Sequence, residues 1–345
     1  MKDIKDLTFE EVKAEFEKLG EASFRAGQVF DWLYHRGALR FADFTNLPKK
    51  LRDELAATFA ISSLDLFGVF RSQDRTRKFL FRLGDGNFIE TVLIPAGTRA
   101  TVCLSTQVGC KFLCGFCASG LRGFVRDLTS AEIINQVLFL KHREGEPVTN
   151  LVFMGMGEPL DNFEHLAKAI RILNSPEGLG IAARRMTVST CGIVPGIRRF
   201  KGLGLQVNLS ISLHAVTDEK RTRLVPINKK YPLETLIEAC QDYLGGGGRK
   251  ITLEYVLIRG FNDSLTDADG LAGIARRLKA KVNLIPYSPV QGLPYEVPAE
   301  DKIRLFVQRL EERNVSVTLR HSKGSDIQAA CGQLAGRTLL EENPS

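Results

Sequence analysis

Cys110, Cys114 and Cys117 stand as C-x3-C-x2-C in GCKFLCGFC, directly after a β-rich run. Three thiolates this close, in a loop that contains glycine, can converge on one centre. Iron–sulfur clusters and zinc are the two occupants that suit them. A structural zinc site normally closes with four ligands, and the nearest histidine is His142. A [4Fe–4S] cluster held by three cysteines leaves one iron open to an outside ligand, an arrangement that serves chemistry better than architecture. The chain holds seven cysteines. That odd number speaks against a disulfide framework and for metal binding or thiol chemistry.

Other residues invite a role with less force. Glu90 interrupts an apolar strand in FIETVLIP; it is either on the solvent face of an alternating strand or partly buried with a raised pKa. Taken alone, Cys331 in AACGQL reads as a small buried residue on a helix, and Cys103 in TVCLST as a core residue of a strand. Cys191 and Cys240 read as structural. Polar or glycine-rich segments follow nearly every strand-like run: Gly155–Glu158, Cys191–Gly192, Ser212–His214 and Pro286–Ser288.

The elements that must position these residues fall into three stretches. The first sixty residues read as helices. Thr8 and Glu11 make a capping box before Phe9, Val12, Phe16 and Leu19; a second helix spans Phe24 to His35 and is closed by Gly37; a third spans Pro48 to Phe59, with Pro48 in its first turn. From Leu66 the period changes to two, with Gly84-Asp85-Gly86-Asn87 as a hairpin turn. From Thr101 onward strands alternate with helices: Thr101–Thr106, Asn150–Met154, Met186–Thr190, Gln206–Leu213, Ile251–Ile258 and Lys281–Pro286 are the β-rich runs. Helical patterns lie between them, among them Thr129–Arg143, with a capping box in Thr129 and Glu132, and Asp161–Asn174, with Asp161 as N-cap. Gly245–Gly248 reads as a loop. Six strand–helix repeats mean an α/β fold with a parallel sheet and right-handed crossovers, either doubly wound or a full or partial barrel, with function at the C-terminal ends of the strands. The expected division is a helical accessory domain over 1–62, a small β extension over 63–98, a barrel over 99–322 and a tail over 323–345.

Composition narrows the class. Of 345 residues, 44% are hydrophobic and 25% charged, ordinary for a globular protein and wrong for a disordered one. No apolar run approaches the ~18 residues needed to span a bilayer. MKDIKDLTFEEVKAEF is too acidic and polar for a signal or transit peptide, so a cytoplasmic address is expected. The net charge is +7, compatible with a polyanionic partner. Basic residues gather in two stretches, Arg71, Arg75, Arg77, Lys78 and Arg82, then Arg184, Arg185, Arg198, Arg199 and Lys201. Phe79, Phe81 and Phe124 could stack on bases, with the first two better suited to a core.

The cysteine spacing after the first strand of a βα repeat resembles the radical S-adenosylmethionine (SAM) superfamily. The likeness goes further. GCKFLCGFCASGLRG, MGMGEPLDN, MTVSTCGIVPGIRR, ISLHA, RLVPINKKYPL, ITLEYVLIRGFND, VNLIPYSPV and KGSDIQAACGQLAG occur in order. Together they resemble the bacterial dual-specificity RNA adenine-C2 methyltransferases, from about Phe24 to Arg337. The resemblance implies a partial (β/α)6 barrel and a [4Fe–4S] cluster on Cys110, Cys114 and Cys117, whose open iron takes the amino and carboxylate groups of SAM. It implies that an electron cleaves SAM to a 5′-deoxyadenosyl radical, chemistry that belongs to the cofactor. It implies Cys331 as the cysteine that carries a methyl group as S-methylcysteine, Cys103 as the resolving thiol that forms a transient disulfide with it, and Glu90 as proton acceptor. Gly157, Glu158, Ser189, Ser212, Leu213, His214 and Ser288 match SAM contacts. Ser288 departs from the family's usual Asn, and a bridging water could make up the shorter reach. The implied substrates are an adenine of 23S rRNA in the peptidyl-transferase centre and the adenine 3′ of the tRNA anticodon, modified by a monomer that uses two SAM per turnover and an electron donor such as flavodoxin or ferredoxin. Two rivals stay open: the related enzymes that methylate C8 of the same rRNA adenine, and a non-enzymatic RNA-binding protein with structural zinc.

Overall fold

The structure is a computed structural model that describes residues 1–121, 123–245 and 249–335. Its N-terminal stretch is helical for the reasons its sequence suggests. Thr8 caps α1 (Phe9–Lys18), and the reciprocal Glu11 contact completes the capping box. The second helix is realised in two parts, α2 (Arg25–Phe30) and a wider π-helical turn over Asp31–His35. α3 covers Lys49–Thr58, and Pro48 is its N-cap residue rather than part of the first turn. These helices dock on the remainder through buried polar contacts. Lys5, 2% exposed, donates to Asn135 Oδ1 at 2.6 Å, and Ala131 N–H donates to Asp6 Oδ1 at 2.8 Å.

A ten-stranded sheet forms the frame. In chain order its strands are β1 (Asp65–Arg71), β2 (Arg77–Arg82), β3 (Phe88–Ala96), β4 (Arg99–Cys103), β5 (Asn150–Phe153), β6 (Met186–Thr190), β7 (Asn208–Ser212), β8 (Ile251–Leu257), β9 (Lys281–Pro286) and β10 (Val317–Leu319). They lie side by side in that same order. β1 to β4 are antiparallel, and β4 to β10 are parallel. The β extension is therefore continuous with the barrel sheet, through the pairing of β3 with β4.

This order decides between the two architectures the strand count allows. A doubly wound sheet reverses direction at a switch point; here each new parallel strand is added on the same side as the last. Right-handed crossovers that all advance one way put every helix on one face, and the sheet curls as an open barrel. The crossover helices include α4 (Ser130–His142), α5 (Phe163–Asn174), α6 (Val194–Lys201), α7 (Asp218–Leu224), α8 (Leu233–Gly245), α9 (Leu265–Arg277) and α10 (Glu300–Glu312). α4 begins with the expected capping box of Thr129 and Glu132. α5 begins otherwise than expected. Asn162 holds the cap position, and Asp161 turns to Lys111 (2.6 Å) and Gln107 (3.0 Å) instead. The glycine run read as a loop begins inside α8, and 246–248 lie outside the described residues. No helix among the described residues is long and apolar enough to cross a membrane.

The first basic stretch is largely spent internally. Arg77 pairs with Glu144 at 2.9 Å and also with Glu146, Arg82 pairs with Asp65 at 2.5 Å, and Lys78 is buried against Glu90 at 2.9 Å. In the second stretch Arg184, Arg185, Arg198, Arg199 and Lys201 are exposed. Phe79 and Phe81 are fully buried, as their strand periodicity demands, whereas Phe124 is exposed.

Candidate active site

One cavity, with about 880 Å³ of non-atom space counting its mouth, opens at the C-terminal ends of β5 to β8. Cys110, Cys114 and Cys117 line it together with Gly157, Glu158, Ser189, Ser212, His214 and Cys331. Segments more than two hundred residues apart thus meet there. Leu213, Ser288, Cys103 and Glu90 are not on its wall.

The loop that carries the three cysteines is held by its surroundings. Gly109 has φ +72°, and a Cβ there would sit 1.8 Å from the Gly123 carbonyl oxygen, so no side chain fits. Cys110 N–H donates to Gly123 at 3.1 Å, Gly115 N–H to Leu224 at 2.8 Å, and Ala118 N–H to Gly332 at 2.7 Å. Phe112 and Phe116 pack on a small second core that includes Leu224, Val225, Val256 and Tyr287.

The donor set suits the cluster that the spacing suggests. Burial pushes the Cys110 thiol up to about 12, with the neighbouring Cys117 adding to the rise. Cys114 is raised too, first by burial and then by Cys117 and Cys110. Three crowded thiols that resist ionisation singly are relieved by a cationic centre that takes all three as thiolates. Among the described residues no group of three His, Cys, Asp or Glu side chains closes on a point for a single metal ion.

Beyond the cysteines the wall is shaped for close approach. A Cβ on Gly157 (φ +97°) would lie 2.4 Å from Gln107 Cβ, and one on Gly155 would lie 2.7 Å from the Leu104 backbone. Gln107 accepts from Glu158 N–H at 2.8 Å and fixes this turn. The Glu158 carboxylate accepts from Cys191 N–H (2.8 Å) and Leu160 N–H (3.0 Å), and burial raises its pKa. Glu158 therefore ties the end of β5 to the end of β6 while one edge faces the cavity. Ser189 and Ser212 hydroxyls stand 3.3 Å apart across β6 and β7. With apolar Phe116, Val256 and Ile285 beside these polar groups, the cavity offers both faces that a nucleoside with a charged tail requires.

His214 is buried in the left-handed region, φ 59°, and its Nδ1 accepts from Val256 N–H at 3.1 Å. Its ring meets Phe116 of the cysteine loop edge-on at 4.6 Å. Burial, with nearby Arg221 second, brings its pKa down to about 3. The unfolded chain thus takes up this proton near 6.5 and the folded chain does not, so stability falls as pH drops from 6.5 toward 3, by up to about 1.4 kcal/mol per pH unit from this group. His214→Asn keeps an acceptor and tolerates positive φ. Urea unfolding of wild type and variant at pH 7.5 and pH 5 is expected to show a shallower loss in the variant; equal losses would assign the pH dependence elsewhere.

Cys331 departs from the helical, buried reading. It lies in a turn, with an exposed face, at the cavity wall. Crowding by protein raises its thiol pKa, and Arg320 opposes the rise. Cys103, at the end of β4, is buried; burial pushes it up to about 12 and Cys331 adds to that. No disulfide joins Cys103 and Cys331 here. All seven cysteines are free. Glu90 is 5% exposed, the buried alternative of the two its sequence allowed. Ser288 spends its hydroxyl on Ser322, 2.6 Å away. Cys240 is in the core, while Cys191, expected to be structural, lines the cavity.

Several supporting residues carried no expectation. Arg221 is fully buried; its guanidinium donates to the carbonyls of Cys191 (2.6 Å) and Leu213 (3.2 Å) and to Asn228 Oδ1 (2.9 Å). Asn262 donates to His214 and Val256 carbonyls, both at 2.7 Å. Glu254, 4% exposed on β8, lines the cavity; its Oε1 accepts from Asn283 at 3.0 Å, and Arg320 approaches Oε2 at 4.0 Å. The signal for Glu254 was the one that exposed Glu90, a carboxylate interrupting an apolar strand.

The chain matches two family models, one described as the ribosomal RNA large subunit methyltransferase N-terminal domain over residues 2–61 and one as the radical SAM superfamily over residues 104–268. It is 48% identical to the dual-specificity RNA methyltransferase RlmN of Geotalea uraniireducens (strain Rf4), covering 97% of each chain, and 46% identical to that of Geobacter sulfurreducens, covering 98% of this chain and 93% of the other. The crystal structure of a radical SAM methyltransferase from Sphaerobacter thermophilus superposes with a TM-score of 0.92 at 43% identity, over 98% of this chain and all of that one. Radical SAM membership brings a [4Fe–4S] cluster and SAM as cofactors, which the cavity's thiols and glycine turns suit. By identity, coverage and fold, the chain belongs to the RlmN family of dual-specificity RNA methyltransferases within the radical SAM superfamily.

Proposed function

We propose that this enzyme adds a methyl group to C2 of an adenine in the peptidyl-transferase centre of 23S rRNA and of the adenine 3′ of the tRNA anticodon. The observation that carries the reading is the position of Cys331, whose sulfur shares one cavity with the three cysteines of the loop. Adenine C2 is an electrophilic amidine carbon with no lone pair to attack a methyl donor, so the carbon must arrive by another route. The bound cofactors supply an electrophilic methyl group for a sulfur and a carbon-centred species that removes a hydrogen atom from it.

The remaining steps belong to the chain's own residues. Cys331 gives up its thiol proton and takes the methyl group. After loss of one hydrogen atom that carbon adds to C2, which tethers the RNA to Cys331. Glu90 receives the proton that leaves C2. The adduct gives up one electron, which the bound cluster would accept; the Cys103 thiolate then attacks the Cys331 sulfur, breaks the sulfur–carbon bond and forms a bridge that lasts until a cellular thiol reduces it, while the freed carbon takes up a proton and becomes the methyl group. Gly157, Glu158, Ser189, Ser212 and His214 hold or shape the SAM site. Leu213 acts through its carbonyl, which Arg221 fixes. Ser288, committed to Ser322, reaches SAM only through water. The reading takes a flavodoxin or ferredoxin as electron donor and a monomer in the cytoplasm, as the resemblance implies.

Digestion of treated 23S rRNA and tRNA to nucleosides, followed by mass spectrometry, tests the reading. 2-Methyladenosine from both is expected, and 8-methyladenosine would overturn it. Cys103→Ala is expected to stop after tethering and to leave a protein–RNA adduct on a denaturing gel; free multiple turnover by that variant would remove Cys103 from the cycle.

A further inference from the structure

The segment that leads to Cys331 has little regular structure of its own. Its single helical turn, Ser325–Ile327, lies between Gly324 and Gln328, both in the left-handed region. An irregular strip places one sulfur reproducibly only when something outside the strip grips it. The grip comes from the turn between β1 and β2 and from β2 and β3 behind it. Ser72 Oγ donates to Asp326 at 2.7 Å, and Gly324 N–H donates to Asp74 at 3.1 Å.

Beneath these contacts lies a buried one. Lys78 on β2 is 1% exposed and Glu90 on β3 is 5% exposed, with Nζ and Oε1 2.9 Å apart. Leu80 stands opposite Glu90 and Val92 opposite Lys78, so the two form a diagonal on one face of the sheet. Each also reaches the segment. Lys78 Nζ donates to the Gln328 carbonyl at 3.2 Å, and Glu90 Oε2 accepts from Ala335 N–H at 2.8 Å. The pair thus holds backbone on both sides of Cys331.

We propose that Lys78 is a positioning residue for the methyl transfer, fixing Glu90 and the backbone around Cys331 as one unit. The inference rests on the reading of Cys331 as methyl carrier and Glu90 as proton acceptor. Two desolvated charges are a poor way to gain stability, because a well-packed apolar pair serves as well or better. What an apolar pair lacks is a donor for Gln328 and an acceptor for Ala335. The neighbouring Arg77 serves a different end, against Glu144 and Glu146.

Lys78→Met, purified as the cluster-loaded full chain, gives the test. Hydrogen–deuterium exchange of peptides covering 324–335 is expected to rise at least tenfold, with exchange in β2 and β3, iron content and absorbance unchanged, and with RNA methylation reduced at least a hundredfold. Wild-type protection of 324–335 in the folded variant would overturn the proposal. Should Lys78→Met fail to fold, Lys78→Met/Glu90→Gln removes both charges and is read in the same way: raised exchange confined to 324–335 supports the proposal, and wild-type protection overturns it. The mass of the Cys331 peptide from the wild type separates the two claims. An unmethylated Cys331 throughout turnover sinks the carrier reading, whereas the exchange result stands or falls independently.

Discussion

Cys331→Ala is expected to bring RNA methylation below detection while iron content and the visible absorbance of the protein stay at wild-type levels. The physical reason is a separation of labour within one cavity. Cys110, Cys114 and Cys117 lie on a loop pinned by Gly109, Gly115 and Ala118, and none of those contacts uses the Cys331 side chain. Ala118 N–H bonds the carbonyl of Gly332, a backbone group that an alanine at 331 leaves in place. Removing one sulfur that faces the cavity costs little stability and, on the proposed reading, removes the atom that carries the methyl group. Nucleoside analysis gives the first number and iron determination the second. Residual methylation above a hundredth of wild type would mean that the methyl group reaches C2 without Cys331.

Arg221→Met is expected to cost about 3–5 kcal/mol of stability and to weaken SAM binding at least tenfold. Arg221 draws carbonyls from the ends of β6 and β7 onto one planar group, and those ends present Ser189 and Ser212 to the cavity. Methionine fills similar volume but leaves the Cys191 and Leu213 carbonyls and Asn228 without their donor in a buried place, each at about 1–3 kcal/mol. Lysine is expected to rescue poorly, because a single ammonium cannot replace a planar fork. Denaturant unfolding and equilibrium SAM binding check the two effects. A variant that lost stability yet bound SAM normally would confine Arg221 to the scaffold.

The elements were legible wherever a local rule decides them. Capping boxes at Thr8 and Thr129, period-two strands and the hairpin at Gly84–Asn87 depend on neighbours within a few residues. The meeting of Cys110, Cys114 and Cys117 at one cavity was legible in their close spacing. What escaped depends on partners far along the chain. Arg221 sits in TDEKRTRLVP, which reads as a solvated charge run; its burial arises because α7 turns that face against the strand ends. One clue was present: Arg221 and Leu224 lie three apart and share a helix face. Lys78 reads from the sequence only as one of a run of basic residues, because a period-two strand says which residues share a face and not what covers that face. The boundary at Asp161 failed for a similar reason, its carboxylate having better partners in Lys111 and Gln107.

The pinned cysteine loop has a consequence for an enzyme that holds an iron–sulfur centre. The hydrogen bonds that set its path run from the backbone of Cys110, Gly115 and Ala118 and pass through no sulfur, so loss of iron would leave those bonds in place. Damage and repair then become a matter of refilling a cast rather than refolding a chain. Refilling then asks for no refolding of that loop, provided Gly109, where no side chain fits, remains bare.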